Sequence, residues 1–600
     1  KVLARGNSTM VPAAVHAQPG KCMLIIHNHP SGDVTPSGAD ITVASRLARE
    51  GIGFAIINNS VSEAYILVEP VQIKPAAAVP LKKVSAALDQ GGYVARIMPA
   101  YEDRPQQLEM ALNVANALNE GSHALAEAGT GIGKSLAYLV PVIMWASENN
   151  RRAVVSTNTI NLQEQLLYKD IPLLQQALPF GFKAVLVKGR ANYLCKRKFY
   201  ELLQRGEDLV EDKDLPDLQA MMQWEKTTRD GTRSELGFTP SGELWELVSS
   251  EADLCLRLNC PFFRDCFFHR ARRETLDAQV LIVNHSLLFA DIALRSKGAD
   301  TGVLPEYHCI ILDEAHNAER AATDWLGARV TRLSFSRLLA RLYNLRGNRA
   351  KGLLVVLENK LAANQDLDSK LVRELLELVR QQVVPNCMSV SQEANEFFEA
   401  AAAYFSEQGD KEVKLRLPGK FANSPGWEKL RQQTQSLFIA TGRLEKSLAV
   451  LRTRMDQLGP QGFEAVLSQA FELDGIRARL KALETDLQEV MMGEDESLVR
   501  WIELMPSRRG QRADFCYAPL TVSQVLKENL WEKFSSVVLT SATMTVNKSF
   551  DYIRDRLGLD RTFKVKELQY ESPFNYRQQV RLGIATDLPD PAQPAFQAKI

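Results

Sequence analysis

Long hydrophobic runs are missing from this chain. The longest apolar stretch, Leu136 to Ala146, contains Pro141 and falls well short of the ~20 residues a membrane span needs. Net charge is also missing: 72 Lys and Arg balance 72 Asp and Glu, so no global field draws in nucleic acid and any such site must be local. Cysteine is sparse, eight in 600 residues, and clustered rather than spread as a disulfide framework, which points to a reducing cytoplasm and a metal site. No secretory signal is recognisable, although the chain opens on Lys1 rather than methionine, which leaves room for a preceding segment. Length sets a prior of roughly four domains. Apolar content of 45% with 24% charge is that of globular protein rather than a disordered chain.

What is present begins with Ala128-Gly129-Thr130-Gly131-Ile132-Gly133-Lys134-Ser135, between the apolar segment Ser122 to Ala126 and the run Leu136 to Val140. Strand, glycine turn, then helix is the context of a phosphate-binding loop. The glycines let backbone N–H groups close on phosphate oxygens, and the helix N-terminus adds partial positive charge. Gly129, Thr130, Gly131, Gly133, Lys134 and Ser135 are therefore expected to bind a nucleoside triphosphate, with Lys134 on the β- and γ-phosphates and Ser135 on Mg²⁺. A second apolar strand, His308 to Leu312, delivers Asp313-Glu314-Ala315-His316. Asp313 is expected to hold the Mg²⁺ water shell and Glu314 to polarise the attacking water, which makes Lys134, Asp313 and Glu314 the catalytic set. Gln107, about twenty-five residues before the loop, is a candidate for the adenine edge. The strand Ala153 to Thr159 ends in hydroxyls, and Thr157 and Thr159 are candidates for a nucleic-acid phosphate.

Cys195, Cys255, Cys260 and Cys266 lie between these motifs. Four thiolates satisfy a [4Fe–4S] cluster and also tetrahedral zinc, though the Cys-x-x-Cys pairs of zinc ribbons are missing. Basic residues crowd the cysteines; Arg190, Lys196 and Arg197 are candidate DNA contacts, and Tyr193, Phe199, Tyr200, Phe262, Phe263, Phe267 and Phe268 are candidate stacking faces, about half of them expected to pack a small core instead. Farther on, Leu444, Leu448, Leu451, Met455 and Leu458, then Ile476, Leu480, Leu483, Leu487 and Val490, step by three and four around Gly459-Pro460, predicting an antiparallel helical hairpin.

Near the start, the apolar strand Cys22 to Ile26 delivers His27-Asn28-His29-Pro30-Ser31-Gly32, then Ser37 and Asp40. Two imidazoles on one side of a strand end plus a carboxylate make an open three-ligand zinc site. The pattern resembles the JAMM metal motif in its RadC-type form, which implies zinc on His27, His29 and Asp40, with Ser37 aiding the oxyanion. That family takes its general base from an upstream glutamate, and no Asp or Glu precedes His27, so the domain is expected to be cut short or inactive.

Asp-Glu-Ala-His beside a Gly-Lys-Ser loop resembles a superfamily 2 helicase. The four cysteines between them resemble the XPD/DinG helicases, and Gly189 to Cys195 with Asn284-His285-Ser286-Leu287-Leu288 resembles their bacterial DinG/YoaA branch. Val537 to Met544 resembles helicase motif III, and Glu571-Ser572-Pro573-Phe574 the approach to a second motor domain, whose arginine fingers are expected beyond Ile600. The resemblance implies an α/β RecA-like motor with iron–sulfur and all-helical Arch insertions, preceded by a small α+β JAMM-like domain. The expected bounds are 1–73 for the JAMM-like domain, 74–98 for a linker and 99–187 for the first part of motor domain 1. They continue with 188–275 for the cluster domain, 276–330 for the Asp-Glu-Ala-His part, 331–505 for the Arch, 506–565 for the end of motor domain 1 and 566–600 for the start of motor domain 2. The implied activity is ATP-dependent 5′ to 3′ unwinding of single-stranded or forked DNA in repair or replication, with protein partners from those processes. The implied cofactors are ATP, Mg²⁺, a [4Fe–4S] cluster and zinc at the N-terminal triad. Two rivals remain at this stage: a cluster-bearing platform for a nuclease or hydrolase, and an adaptor whose N-terminal domain recruits a partner.

Overall fold

The computed structural model describes residues 24–596 apart from 30, 50–51, 70–75, 99–100, 206–211, 253, 297–301, 347–348, 365–366, 409–413, 422, 508–509, 575, 582, 584–587 and 591–595. Cys22, Met23 and Pro30 of the sequence motifs lie outside the described residues. The chain divides into two units, Lys1–Ala77 and Ala78–Ile600. Among the described residues no helix is long and apolar enough to cross a membrane.

In the first unit, β1 (Leu24–Asn28) pairs parallel with β2 (Gly53–Ile57), which pairs antiparallel with β3 (Ala64–Val68). The helix Gly38–Arg49 makes the crossover between β1 and β2. Alternation turns Ile25 into a small core with Ala44, Leu47, Phe54 and Ile56, and leaves Ile26 56% exposed.

The second unit is built on a seven-stranded parallel sheet. In chain order its first five strands are β4 (His123–Ala128), β5 (Ala153–Thr157), β6 (Ala184–Leu186), β7 (Val280–Asn284) and β8 (Cys309–Asp313). After a long insertion the chain returns with β15 (Ser536–Ser541) and β16 (Val565–Tyr570), giving the order β16-β4-β15-β8-β5-β7-β6. Near-continuous apolar strands such as Ile310-Ile311-Leu312 are what burial on both faces demands, and helices cover both faces here.

Three expected boundaries are corrected. Residues 78–98 are no linker: helix Leu81–Leu88 and Val94 are buried in the motor core against helix Pro105–Glu120, because Val84, Ala87 and Leu88 form an apolar face. The strand Val565–Tyr570 does not open motor domain 2; it pairs with β4 as the sheet's edge. The Arch, in turn, is not wholly helical. Its base is an antiparallel sheet, with β9 (Ala328–Val330), β12 (Lys414–Leu417), β13 (Leu498–Ser507) and β14 (Gly510–Pro519) in the order β12-β13-β14-β9, and a separate short hairpin joins β10 (Asn344–Arg346) to β11 (Arg349–Lys351). Leu415, Ile502 and Phe515 of that sheet share one core with the helices, so the insertion runs past residue 505 to Pro519. The expected hairpin is there as Pro425–Asp456 and Gly459–Met492, with Leu444, Leu448, Leu451, Met455, Ile476, Leu480, Leu487 and Val490 buried along its seam.

Candidate functional site

Parallel strands deliver the nucleotide site from their carboxyl ends, where an open α/β sheet binds ligands. β4 ends at Ala128 and the helix Lys134–Asn149 begins at Lys134, with Gly131 and Gly133 at φ +88° and +84° making the turn. Lys134 Nζ donates to Glu314 Oε1 at 3.4 Å. Asp313, at the end of β8, is buried, and Tyr138 donates its hydroxyl to Asp313 Oδ2 at 3.1 Å. Burial first, and the Glu314 charge second, push the Asp313 carboxyl up to about 6. Glu314 itself sits at φ +54°, a left-handed backbone that costs a non-glycine residue of order 1 kcal/mol and marks a constrained turn. The loop therefore brings Lys134, Asp313 and Glu314 together, the expected catalytic set.

Gln107, the candidate for the adenine edge, is buried and donates its side-chain amide to the Gly133 carbonyl at 2.9 Å, which braces the loop. Ser572 Oγ donates to the Thr130 carbonyl at 2.8 Å and Gly129 N–H to the Tyr570 carbonyl at 3.1 Å, so the segment after β16 lies against the loop.

Several contacts at this site were not anticipated. Glu127, just before the loop, accepts hydrogen bonds from the Met544 and Thr545 amides and the Thr545 hydroxyl. His316 Nδ1 lies 2.7 Å from Ser541 Oγ. Both tie the catalytic strand ends to the Ser541-to-Thr545 turn after β15. His285 Nδ1 lies 2.8 Å from Ser156 Oγ, and burial holds its imidazole down to about 4. The available signal was a buried-strand context placing a lone Glu or His at a strand end.

The four cysteines come from different local structures and line one pocket, together with Arg197, Lys198, Glu251, Phe263 and His269. Cys195 starts the helix Lys196–Arg205, Cys255 and Cys260 flank the short turn Arg257–Asn259, and Cys266 caps the helix Phe267–Glu274. All four thiols are free and half-buried. Burial pushes Cys260 and Cys266 up, opposed first by the backbone N–H of Phe262 at the one and of His269 at the other. His269 Nε2 lies 3.4 Å from Cys255 Sγ. Burial first, then the charges of Arg190, Arg273 and Arg257, hold His269 below the usual histidine range.

The basic residues around this pocket are mostly engaged inside the protein. Arg197 corrects the expectation: it is 6% exposed, with its guanidinium donated to Glu201, Ser468 Oγ and the Leu254 carbonyl, so it is buried structure rather than an exposed phosphate contact. Lys196 pairs with Glu225 at 3.0 Å and lies over the Phe267 ring; Arg190 stacks 3.7 Å over Phe268 and reaches the Glu251 carbonyl. Thr157 is fully buried, while exposed Thr159 caps the helix Ile160–Gln165. Tyr193, Phe199, Phe267 and Phe268 belong to the local core, whereas Tyr200 and Phe262 stack on each other at 5.3 Å nearer the surface. Glu251 is the hub of this region, pairing with Lys198 at 2.6 Å, Arg341 at 3.0 Å and Arg479 at 2.7 Å, and so joins the cysteine pocket to the helical insertion.

In the first unit, ligand atoms of His27, His29 and Asp40 all lie within 4.8 Å of one another. His29 Nε2 is 3.0 Å from Asp40 Oδ2, and its Nδ1 is 2.7 Å from the Asp33 carbonyl, a backbone contact that orients a ligating imidazole. Ser37 donates its hydroxyl and its amide to the same Asp40 oxygen, at 2.6 and 2.8 Å. Burial opposes ionisation of Asp40, but these bonds outweigh it and lower its pKa.

Residues 107–193 match the DEAD/DEAH box helicase family and residues 10–58 the RadC-like JAB domain. The chain is 31% identical over 524 residues to the "3'-5' exonuclease DinG" of Bacillus subtilis, an alignment spanning 84% of this chain and 52% of the relative. It is 28% identical over 505 residues to the "ATP-dependent DNA helicase YoaA" of Escherichia coli, covering 84% and 69%. With the "ATP-dependent DNA helicase DinG" of Photobacterium profundum it shares 30% identity over 490 residues, covering 79% and 67%. It thus spans about half the length of the first of these relatives and about two thirds of the other two. A phosphate loop facing Asp-Glu-Ala-His on a parallel sheet, together with these relatives, establishes that the chain belongs to the DinG/YoaA family of ATP-dependent DNA helicases.

Proposed function

We propose that the chain hydrolyses ATP at the Lys134–Glu314 site and uses the cycle to translocate 5′ to 3′ on single-stranded or forked DNA. The observation that carries this is the pairing of Lys134 with Glu314 beside contacts that run on to the Ser541-to-Thr545 turn. A γ-phosphate competes for the Lys134 ammonium. That competition frees the Glu314 carboxylate to orient the attacking water. His316 and Glu127 hold the turn after β15 against the same strand ends, so a change at the phosphates is felt there. Ser135 and Asp313 would hold Mg²⁺, which supplies charge neutralisation at the phosphate oxygens.

Cys195, Cys255, Cys260 and Cys266 would hold a [4Fe–4S] cluster. The four cysteines line one pocket without the Cys-x-x-Cys pairs of zinc ribbons, which supports the cluster over one zinc ion. Arg197, whose pKa burial lowers but the charges of Glu201 and then Cys195 raise on balance, places a buried cation beside the thiolates. Arg190, Lys196 and Thr159 are the proposed contacts to DNA phosphate. In the first unit His27, His29 and Asp40 would bind one zinc, and Ser37 orients Asp40. The nuclease rival is less well supported, because residues 1–98 carry no Asp/Glu-rich exonuclease motif.

The test is ATP turnover and strand separation by the anaerobically purified protein on duplexes with a 5′ or a 3′ single-stranded tail. DNA-stimulated hydrolysis with unwinding from the 5′ tail is expected; unwinding only from the 3′ tail, or hydrolysis indifferent to DNA, overturns the reading.

A further inference from the structure

His269 is not one of the four cysteines, yet it touches two of them. Its ring Nε2 lies 3.4 Å from Cys255 Sγ, within hydrogen-bond reach for a sulfur acceptor. Its backbone N–H, in the first turn of the helix Phe267–Glu274, faces the Cys266 sulfur. The ring is held where it is: Phe263 tilts against it with centroids 4.7 Å apart, and Phe268 meets it edge-on at 5.4 Å. It also forms part of the pocket wall beside all four cysteines. A side chain packed between two aromatic rings with its nitrogen aimed at a sulfur is preorganised as a donor, because little rotamer freedom is left to lose.

We propose that His269 is a positioning residue for the iron–sulfur centre, donating its Nε2–H to the Cys255 sulfur and thereby raising the reduction potential of the cluster. The inference rests on the [4Fe–4S] reading above. Reduction adds negative charge that spreads onto the cysteine sulfurs, so a donor aimed at one of them favours the reduced state. His269 thus tunes the cluster rather than ligating it, and the effect reaches Cys255, beside the turn that the exposed Arg257 and Leu258 share.

The test is a dye-mediated redox titration of the anaerobically purified full chain, followed by visible absorption and electron paramagnetic resonance, with iron and sulfide counted per chain. Wild type is compared with His269→Phe, which keeps the ring packing and removes the donor, and with His269→Gln, which keeps an N–H. Expected are wild-type iron and sulfide in both variants, a midpoint shifted to more negative potential in His269→Phe, and a smaller shift in His269→Gln. An unchanged midpoint in His269→Phe overturns the inference and leaves the cluster reading intact. Loss of iron from both variants also overturns it, since a donor to a ligand sulfur is dispensable for assembly. Zinc without iron or sulfide in the wild type overturns the cluster reading itself, and this inference with it.

Discussion

The nucleotide site and the cysteine pocket lie in one unit, but they are built in different ways. At the nucleotide site, each functional residue sits within a few positions of the end of a buried parallel strand, so register places the chemistry: β15 pairs Thr540 with Asp313 and Ser541 with Glu127. At the cysteine pocket no strand takes part among the described residues. Short helices and turns meet over a core of twelve residues, and long charged side chains fill the remaining space, with Arg197, Lys198 and Glu251 all against the pocket wall. A hydrogen-bonded sheet holds its site before any ligand arrives. A pocket built from turns and ion pairs depends far more on what fills it.

The sharpest way to break the comparison is at the phosphate loop. Lys134→Ala should lower DNA-stimulated ATP hydrolysis by roughly 100- to 1,000-fold, the cost of losing one preorganised charge at a reacting phosphate, with the thermal midpoint near that of the wild type. Steady-state turnover and a melting curve on the same sample check both halves. A melting point that collapses along with activity would mean that the loop is not held by its sheet.

Cys260→Ser should do the opposite. Iron is lost, DNA affinity falls and the local structure loosens, while ATP binding persists because the phosphate loop is carried by β4. Metal analysis, nucleotide titration and limited proteolysis within residues 188–275 provide the readout, and retained iron would break the contrast.

Glu251 probes how much the ion pairs contribute. Burial alone would raise its pKa, but the charges of Lys198 and Arg341, with Arg479 behind them, outweigh it and bring it to about 2, against an ordinary value of 4.5. The stabilisation is therefore complete above about pH 4.5 and is lost as pH falls through about 2. A shift of that size corresponds to about 3 kcal/mol, so Glu251→Gln should destabilise the protein by that order at neutral pH and flatten the acid limb of its stability curve. Chemical denaturation at several pH values measures both.

The smallest effect is expected from the basic surface. Replacing Arg190 and Lys196 with alanine should lower the salt slope of single-stranded DNA binding by about one per lost phosphate contact, without base preference. Arg197→Ala should instead lower stability, because its guanidinium is spent on Glu201, Ser468 and Leu254. Titrations across a range of salt concentrations separate the two; equal slope losses would mean that Arg197 turns outward on binding.

Local sequence alone determined the phosphate loop, the Asp313-Glu314 pair, the His27-His29-Asp40 triad and the helical hairpin around Gly459. Each is written in contiguous residues whose spacing translates directly into a strand end, a turn or a helix face. The tertiary structure decided the rest. Residues 74–98 read as a linker from their Pro and Gly content, yet Val84 and Leu88 find an apolar face on a helix more than twenty residues away. The β13–β14 hairpin was hidden because it pairs with β9, whose strand precedes it by some 180 residues, a partner that local pattern does not name. Arg197 and Arg190 look alike in a basic run; only packing turned one inward to Ser468 and left the other stacked on Phe268. His269 carries no motif at all. Its role depends on a sulfur fourteen residues back, brought within 3.4 Å by a turn whose geometry is set by packing and not by spacing.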